Sequence, residues 1–204
     1  MKSARQKILD NLRSNEHLLS EKPDFTSPVF YPVDKPLELA FKKGLEMVNG
    51  KVSIFEAEDK VYEFLKTFIS SYSQQDIYCN ETEIRNKLTC YGIDFQGDEP
   101  NDKAIQIGIT GCEFLIAQTG SVMVSSAQIG GRRLFVYPEI HIVIAKKNQL
   151  VEDLENAYTG ISNKYKKELP SQIVLITGPS RTADIEKTLT LGAHGPKELH
   201  VLLY

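Results

Sequence analysis

The sequence predicts an α/β fold with a largely parallel sheet, helices on both faces and an antiparallel or mixed β section in its second half. Three observations carry this prediction. From residue 37 to about residue 91, short β-branched runs alternate with stretches of helical spacing, the order expected of parallel strands joined by helices. Between residues 104 and 145 the pattern changes to short strand-like runs separated by turns. The chain then returns to a helical stretch, a β-branched run at Ile173–Ile176 and a last apolar run at Leu199–Leu203.

The elements follow in order. Ala4–Leu19 carries Ile8, Leu12 and Leu19 at helical spacing with Leu9 beside them, a narrow stripe that predicts a peripheral helix. Pro23, Pro28, Pro32 and Pro36 make Ser20–Pro36 a linker. Residues 1–36 are therefore read as an appendage and 37–204 as the α/β domain. Leu37–Val48 is predicted helical, with one face formed by Leu37, Phe41, Leu45 and Val48 and a stop at Asn49-Gly50. Lys51–Glu56 alternates as a strand, Ala57–Ser70 is helical, and Ile77–Cys79 is a short strand. Asn80-Glu81-Thr82-Glu83 has the form of a capping box opening a helix to about Tyr91. The following strand-like runs are Ala104–Ile109, Glu113–Ala117, Ser121–Ser126, Leu134–Tyr137 and His141–Ala145. Gln149–Leu169 is predicted as one long helix that Pro170 ends.

Composition excludes several classes of function. A net charge of −3, with no Lys/Arg cluster, offers no electrostatic footprint for nucleic acid. No apolar run reaches the length of a membrane span, and the amino-terminal segment lacks the apolar stretch of a secretory signal, so the expected location is the cytoplasm. Cys79, Cys90 and Cys112 are widely spaced, which argues for reduced thiols and against an iron–sulfur cluster or structural zinc held by this chain. Gly-x-Gly-x-x-Gly, the phosphate-loop Gly-Lys-Ser/Thr and Gly-x-Ser-x-Gly are all missing, so Rossmann-type nicotinamide binding, nucleotide hydrolysis and serine hydrolysis lose weight.

The densest polar constellation is Thr177-Gly178-Pro179-Ser180-Arg181-Thr182-Ala183-Asp184 after the Ile173–Ile176 run. Glycine permits a sharp turn off the strand, and a helix is expected next. Gly178, Pro179, Ser180, Arg181 and Thr182 form a candidate anion site: free amides at the helix start and a two-pronged guanidinium contact would hold a carboxylate or phosphate. The competing reading has equal weight: Ser180 or Thr182 caps the helix and Arg181 pairs with Asp184 or Glu186. Thr119, Gly120 and Ser121 form a second polar turn, read first as a hairpin and second as the wall of a small-anion pocket. His194, in Gly-Ala-His-Gly-Pro, is a candidate acid–base residue, with Asp184 and Glu186 beside it in sequence, although a histidine bonded to its turn backbone is as good a reading. His141 and His200 each open an apolar strand and are expected to be structural. No metal motif is found.

Ala117-Gln118-Thr119-Gly120-Ser121, the Arg132–Pro138 segment and, above all, Thr177–Leu203 resemble the LUD domain family, in particular its lactate-utilisation branch. The resemblance covers Leu37–Tyr204. It departs where the family has Ala-Glu-Thr-Gly, because Gln118 replaces the carboxylate. It implies a fold similar to the NagB/RpiA/CoA-transferase group. It also implies membership of a multi-subunit system that oxidises L-lactate to pyruvate, in which partner subunits carry iron–sulfur clusters and this chain binds no cofactor of its own. A small carboxylate or phosphate-bearing ligand at the strand ends is then expected, and self-association is compatible with this reading. Two alternatives stand beside it: a stand-alone enzyme on a phosphosugar, acyl-CoA or folate-type substrate, and a ligand-free assembly subunit.

Overall fold

A computed structural model describes residues 3–14, 32–73, 76–97, 105–129, 132–183, 189–191 and 194–204. The chain divides into two units, Met1–Pro32 and Val33–Tyr204. In the first, α1 (Ala4–Ser14) is amphipathic, and it leaves Ile8 and Leu12 about 60% exposed (61% and 59%).

The second unit is built on a five-stranded sheet of β1 (Lys51–Ile54), β2 (Ile77–Tyr78), β3 (Ile107–Thr110), β6 (Ile140–Ala145) and β11 (Glu198–Leu203). Their order across the sheet is β1-β11-β6-β3-β2, and every pairing is parallel. A strand buried on both faces needs apolar residues at nearly every position, and β6 and β11 meet that demand. On one face, Ile140, Ile142, Ile144 and Leu202 pack against α3 (Glu58–Ile69) through Val61, Tyr62 and Leu65, and against α4 (Thr82–Cys90) through Ile84 and Leu88. On the other face, Val143, Ala145, Val201 and Leu203 meet Phe41 and Leu45 of α2 (Leu37–Met47) and the inner residues of a second sheet.

That second sheet orders β7 (Leu150–Val151), β4 (Phe114–Ile116), β5 (Ser121–Ser125) and β8 (Ile173–Ile176) side by side. It is mixed, since β4 pairs antiparallel with β5 and parallel with β7, while β8 pairs antiparallel with β5. Alternation sorts its side chains: Val122 and Val124 point to the large core, while Met123 points outward to Ala157 and Ile161 of α5 (Leu154–Lys164). The architecture is thus α/β with a parallel sheet, a mixed sheet and helices on both faces, as the sequence predicts.

Four local expectations are corrected. The long helix predicted from Gln149 is split: Leu150–Val151 pair with β4, and Asp153 starts α5 by accepting a hydrogen bond from the Asn156 amide at 2.8 Å. Leu134–Tyr137 is a turn rather than a strand, because the amides of Val136 and Tyr137 donate back to the Arg133 carbonyl. The Asn80 capping box does not form: Glu81 occupies the cap position of α4 and makes no capping bond, its carboxylate being engaged with Gly111 instead. Finally, the helix expected after Gly178 is replaced by a hairpin, β9 (Arg181–Ala183) paired antiparallel with β10 (Leu189–Leu191). Cross-strand pairing there overrides local helical spacing, and the helix amides invoked for an anion are not provided.

Candidate functional site

The glycine-rich turns are brought together, and packing explains much of their composition. Gly44 of α2 and Gly120 sit backbone to backbone: a Cβ on Gly44 would lie 3.0 Å from the Gly120 nitrogen, and one on Gly120 would enter the backbone of Gly44 and Leu45. Gly120 also has a positive φ of 63°, which only glycine adopts freely. Gly178 (φ 88°) is pressed on the carbonyl of Val48, 2.8 Å from where its Cβ would stand. Ser121 links the two turns, since its hydroxyl lies 2.7 Å from Thr119 Oγ1 and 2.7 Å from Thr177 Oγ1. The Ser180 amide donates to the Pro196 carbonyl at 2.8 Å, which seats Ser180 against Gly195. Pro179 lies within the same turn, half-buried.

Thr119, Gly120, Ser121, Gly178, Pro179 and Ser180 therefore form one neighbourhood. Arg181 follows on β9 and is exposed, as is His194 beside Gly195. Asp184 and Glu186 lie outside the described residues, as does the side chain of Thr182. Val48 precedes β1 and Pro196 precedes β11, so this neighbourhood lies at the amino ends of the parallel strands.

A cavity of about 570 Å³ opens at the other, carboxyl end. There the chain leaves β3 at Gly111-Cys112, β6 at Lys146 and β11 at Tyr204, and there α3 and α4 begin with Glu58 and Glu81. In parallel α/β sheets, ligands bind at the carboxyl ends of the strands. No motif in the sequence points to this side of the molecule.

Two acids with different environments lie in this region: Glu81 lines the cavity, and Glu113 is buried next to the lining residue Cys112. The Gly111 amide donates to Glu81 Oε1 at 2.6 Å. Burial pushes the Glu81 carboxyl above the usual range; the Gly111 amide and the Gln128 side chain offset this in part, and the charge on Glu113 adds to it. Glu113 is 3% exposed, and its carboxylate accepts from Ser125 Oγ at 2.6 Å, Lys164 Nζ at 2.7 Å and Tyr165 Oη at 2.8 Å. Burial works to raise this carboxyl as well, but the three donors outweigh it and hold Glu113 below the usual range. Glu113 is thus a buried, fully bonded anion, while Glu81 presents its carboxyl on the cavity wall.

The remaining wall is arranged around these acids. Gln149 donates to the Cys112 carbonyl at 2.6 Å, which fixes the loop between the acids. Glu58 is paired with Lys87 and accepts from Tyr204 Oη at 3.1 Å; the Lys87 ammonium holds its carboxyl below the usual range. Burial pushes the Cys112 thiol up, so it stays protonated at neutral pH. Cys79 is likewise pushed up to about 12 by burial.

Among the described residues, no group of three or more His, Cys, Asp and Glu could hold a metal ion. Among the same residues, no helix is long and apolar enough to cross a membrane. His141 and His200 are buried in the parallel sheet. Thr110 Oγ1 donates to the Gly111 carbonyl at 3.0 Å and lies 2.8 Å from His141 Nε2, an arrangement satisfied by a neutral ring carrying its proton on Nε2.

Glu81 and Glu113 had faint sequence signals. Glu113 interrupts an apolar stretch next to a cysteine, and Glu81 sits where the capping pattern placed a mere helix residue. Neither signal says that the charge of one acid acts on the other.

Comparison with known proteins agrees with the fold. The LUD domain matches residues 39–204. Lactate utilization protein C 1 of Bacillus mycoides is 36% identical over 124 residues, covering 58% of this chain and 52% of that protein. Lactate utilization protein C of Bacillus subtilis is 36% identical over 112 residues, covering 53% and 47%. The matches thus extend over about half the length of these relatives. Among solved structures, a DUF162 family protein from Deinococcus radiodurans superposes with a TM-score of 0.62 at 16% identity, covering 82% of this chain and 95% of that one. This likeness speaks to the fold.

Proposed function

Because this chain belongs to the LUD domain family, we propose that it is a cytoplasmic subunit of a lactate utilisation system that oxidises L-lactate to pyruvate together with iron–sulfur partner subunits. The names of its relatives support the pathway. The observation that carries a ligand role is the cavity at the strand ends, where Glu81 lines the wall and accepts from the Gly111 amide.

Oxidation of a 2-hydroxy acid removes a hydroxyl proton together with a C–H hydrogen and two electrons. In this reading Lys146 and Lys164, on the cavity wall, attract the carboxylate. The electron acceptor is assigned to the partners, since Cys79 and Cys112 are buried apart from the exposed Cys90 and do not fit a cluster.

The test is lactate-dependent dye reduction by this chain, alone and reconstituted with candidate iron–sulfur partner subunits. Activity should require the mixture and fall with Lys146→Ala. Equal activity of the isolated chain, or none in the mixture, would overturn the proposal.

One observation favours a second reading. A cavity of about 570 Å³ is sized for a drug-like ligand, and a three-carbon acid fills a fraction of it. A stand-alone enzyme on a phosphosugar, acyl-CoA or folate-type substrate would use that volume. Thermal stabilisation by one of these compounds and not by lactate would favour it.

A further inference from the structure

We infer that Glu81 is the proton-exchanging residue of the cavity, taking up a proton as an anionic group enters and releasing it as that group leaves. This rests on the cavity being the ligand site.

The geometry fixes the carboxyl group rather than letting it swing into solvent. Glu81 immediately precedes α4, makes no capping bond there, and is held by the Gly111 amide at 2.6 Å. A Cβ on residue 111 would stand 2.9 Å from Glu81 Oε2, so the glycine permits this close approach. The carboxyl group is thereby placed on the cavity wall between the ends of β2 and β3.

The groups facing it decide its behaviour. Glu113 faces it from the start of β4, Lys164 from the end of α5 and Gln128 from the turn after β5. Cys112 and Cys79 flank it from the loops after β3 and β2, both protonated. The Lys164 ammonium bonds Glu113 at 2.7 Å and also faces Glu81. Glu113 has two hydroxyl donors besides, whereas Glu81 has a backbone amide and a neutral side-chain amide. Across the cavity, Lys87 is paired with Glu58, Glu83 adds another acid, and Lys146 is exposed.

An entering carboxylate or phosphate therefore brings a negative charge next to Glu81, while the Lys164 ammonium on the same wall is already bonded to Glu113. The inexpensive way to offset it is protonation of the acid lacking a cation, which then donates to the anion. The raised proton affinity that burial gives Glu81 agrees with this choice.

The experiment uses the full chain and pyruvate as probe. Calorimetric titrations at several pH values, each in two buffers of different ionisation enthalpy, count the protons taken up. Above the Glu81 midpoint about one proton should be bound per pyruvate and affinity should fall about tenfold per pH unit, while below it both effects should vanish. Glu81→Gln keeps an oxygen for the Gly111 amide and mimics the protonated acid. It should bind pyruvate with the low-pH affinity at every pH and with no proton uptake. A flat wild-type profile, or proton uptake retained in Glu81→Gln, would overturn the inference.

Side-chain carbon NMR on the ligand-free chain tests the same residue without any ligand. The signal lost in Glu81→Gln should titrate above the ordinary glutamate range and move down in Glu113→Gln. Titration within the ordinary range overturns the inference even if pyruvate binds. A raised titration with no pyruvate binding supports the proton-exchanging role and counts against the small-carboxylate reading of the cavity.

Discussion

The hydroxyl of Ser121, at the start of β5, stands 2.7 Å from the hydroxyl of Thr177, at the end of β8. Thr119 extends the chain by another 2.7 Å contact. Ser121 is buried, so its oxygen depends on these partners, whereas Thr119 and Thr177 also meet solvent. Ser121→Ala should cost about 1 kcal/mol in urea unfolding, and Thr177→Val less than that. A neutral Ser121→Ala would show that the hydroxyl chain has no share in holding the outer strand.

Gly120 should tolerate no side chain. Alanine there would combine a left-handed backbone with a methyl group inside the backbone of Gly44 and Leu45. A loss of about 2 kcal/mol or more is expected for Gly120→Ala, read as a lowered Tm. Gly92 also has a positive φ, but its Cβ would meet only the Lys66 ammonium at 3.5 Å, so Gly92→Ala should cost distinctly less. Equal losses at the two positions would mean that packing against Gly44 and Leu45 adds nothing.

Lys164→Met should invert the pH dependence contributed by Glu113. In the wild type, the folded-state pKa of Glu113 is depressed. Its contribution to stability is therefore present above the unfolded value near 4.5 and is lost as pH falls through the folded one. Without the ammonium, burial dominates and the folded pKa rises above that of the unfolded chain. Stability of the variant should then increase on acidification from pH 7 towards pH 5, measured by denaturant midpoints. A variant that merely shifts the wild-type curve downward would contradict this prediction.

His141 should make the protein acid-sensitive. Burial lowers its pKa from 6.5 to about 3, so the folded chain resists a proton that the unfolded chain accepts. Stability is fully present above pH 6.5 and declines as pH falls below it, by up to about 1.4 kcal/mol per pH unit for one such group. His200, also lowered by burial, adds to the slope. In His141→Leu the decline between pH 6.5 and pH 5 should be shallower. An unchanged slope would mean that other groups carry it.

Much of the fold was legible because its cues are local. The apolar spacing of Val61, Phe64, Leu65, Phe68 and Ile69 predicts the helix found as α3, and the run His141–Ala145 predicts the central strand found at Ile140–Ala145. The features that local patterns miss depend on contacts between distant residues. Leu150–Val151 continue the helical spacing of α5 but pair with β4, more than thirty residues earlier. Arg181–Ala183 look helical alone and become a strand through Leu189–Leu191. The candidate site divides in the same way. Its glycines and hydroxyls announced a tight turn, which Gly120, Ser121 and Gly178 supply. Glu81 and Glu113 are 32 positions apart, and the pairing of β2 with β3 in one sheet and of β4 with β5 in the other, which assembles their surroundings, is not written in either residue's neighbourhood.

The six residues of β11 run from the glycine-rich neighbourhood at Pro196 to the cavity at Tyr204, roughly 20 Å of extended chain. Events at the two poles are separated by the full height of the sheet. A protein docked over the turns would leave the entrance to the cavity uncovered, and a molecule lodged among the acids would not reach the turns. The two surfaces can therefore be altered independently by mutation, with the rigid strands between them as a spacer rather than a shared wall.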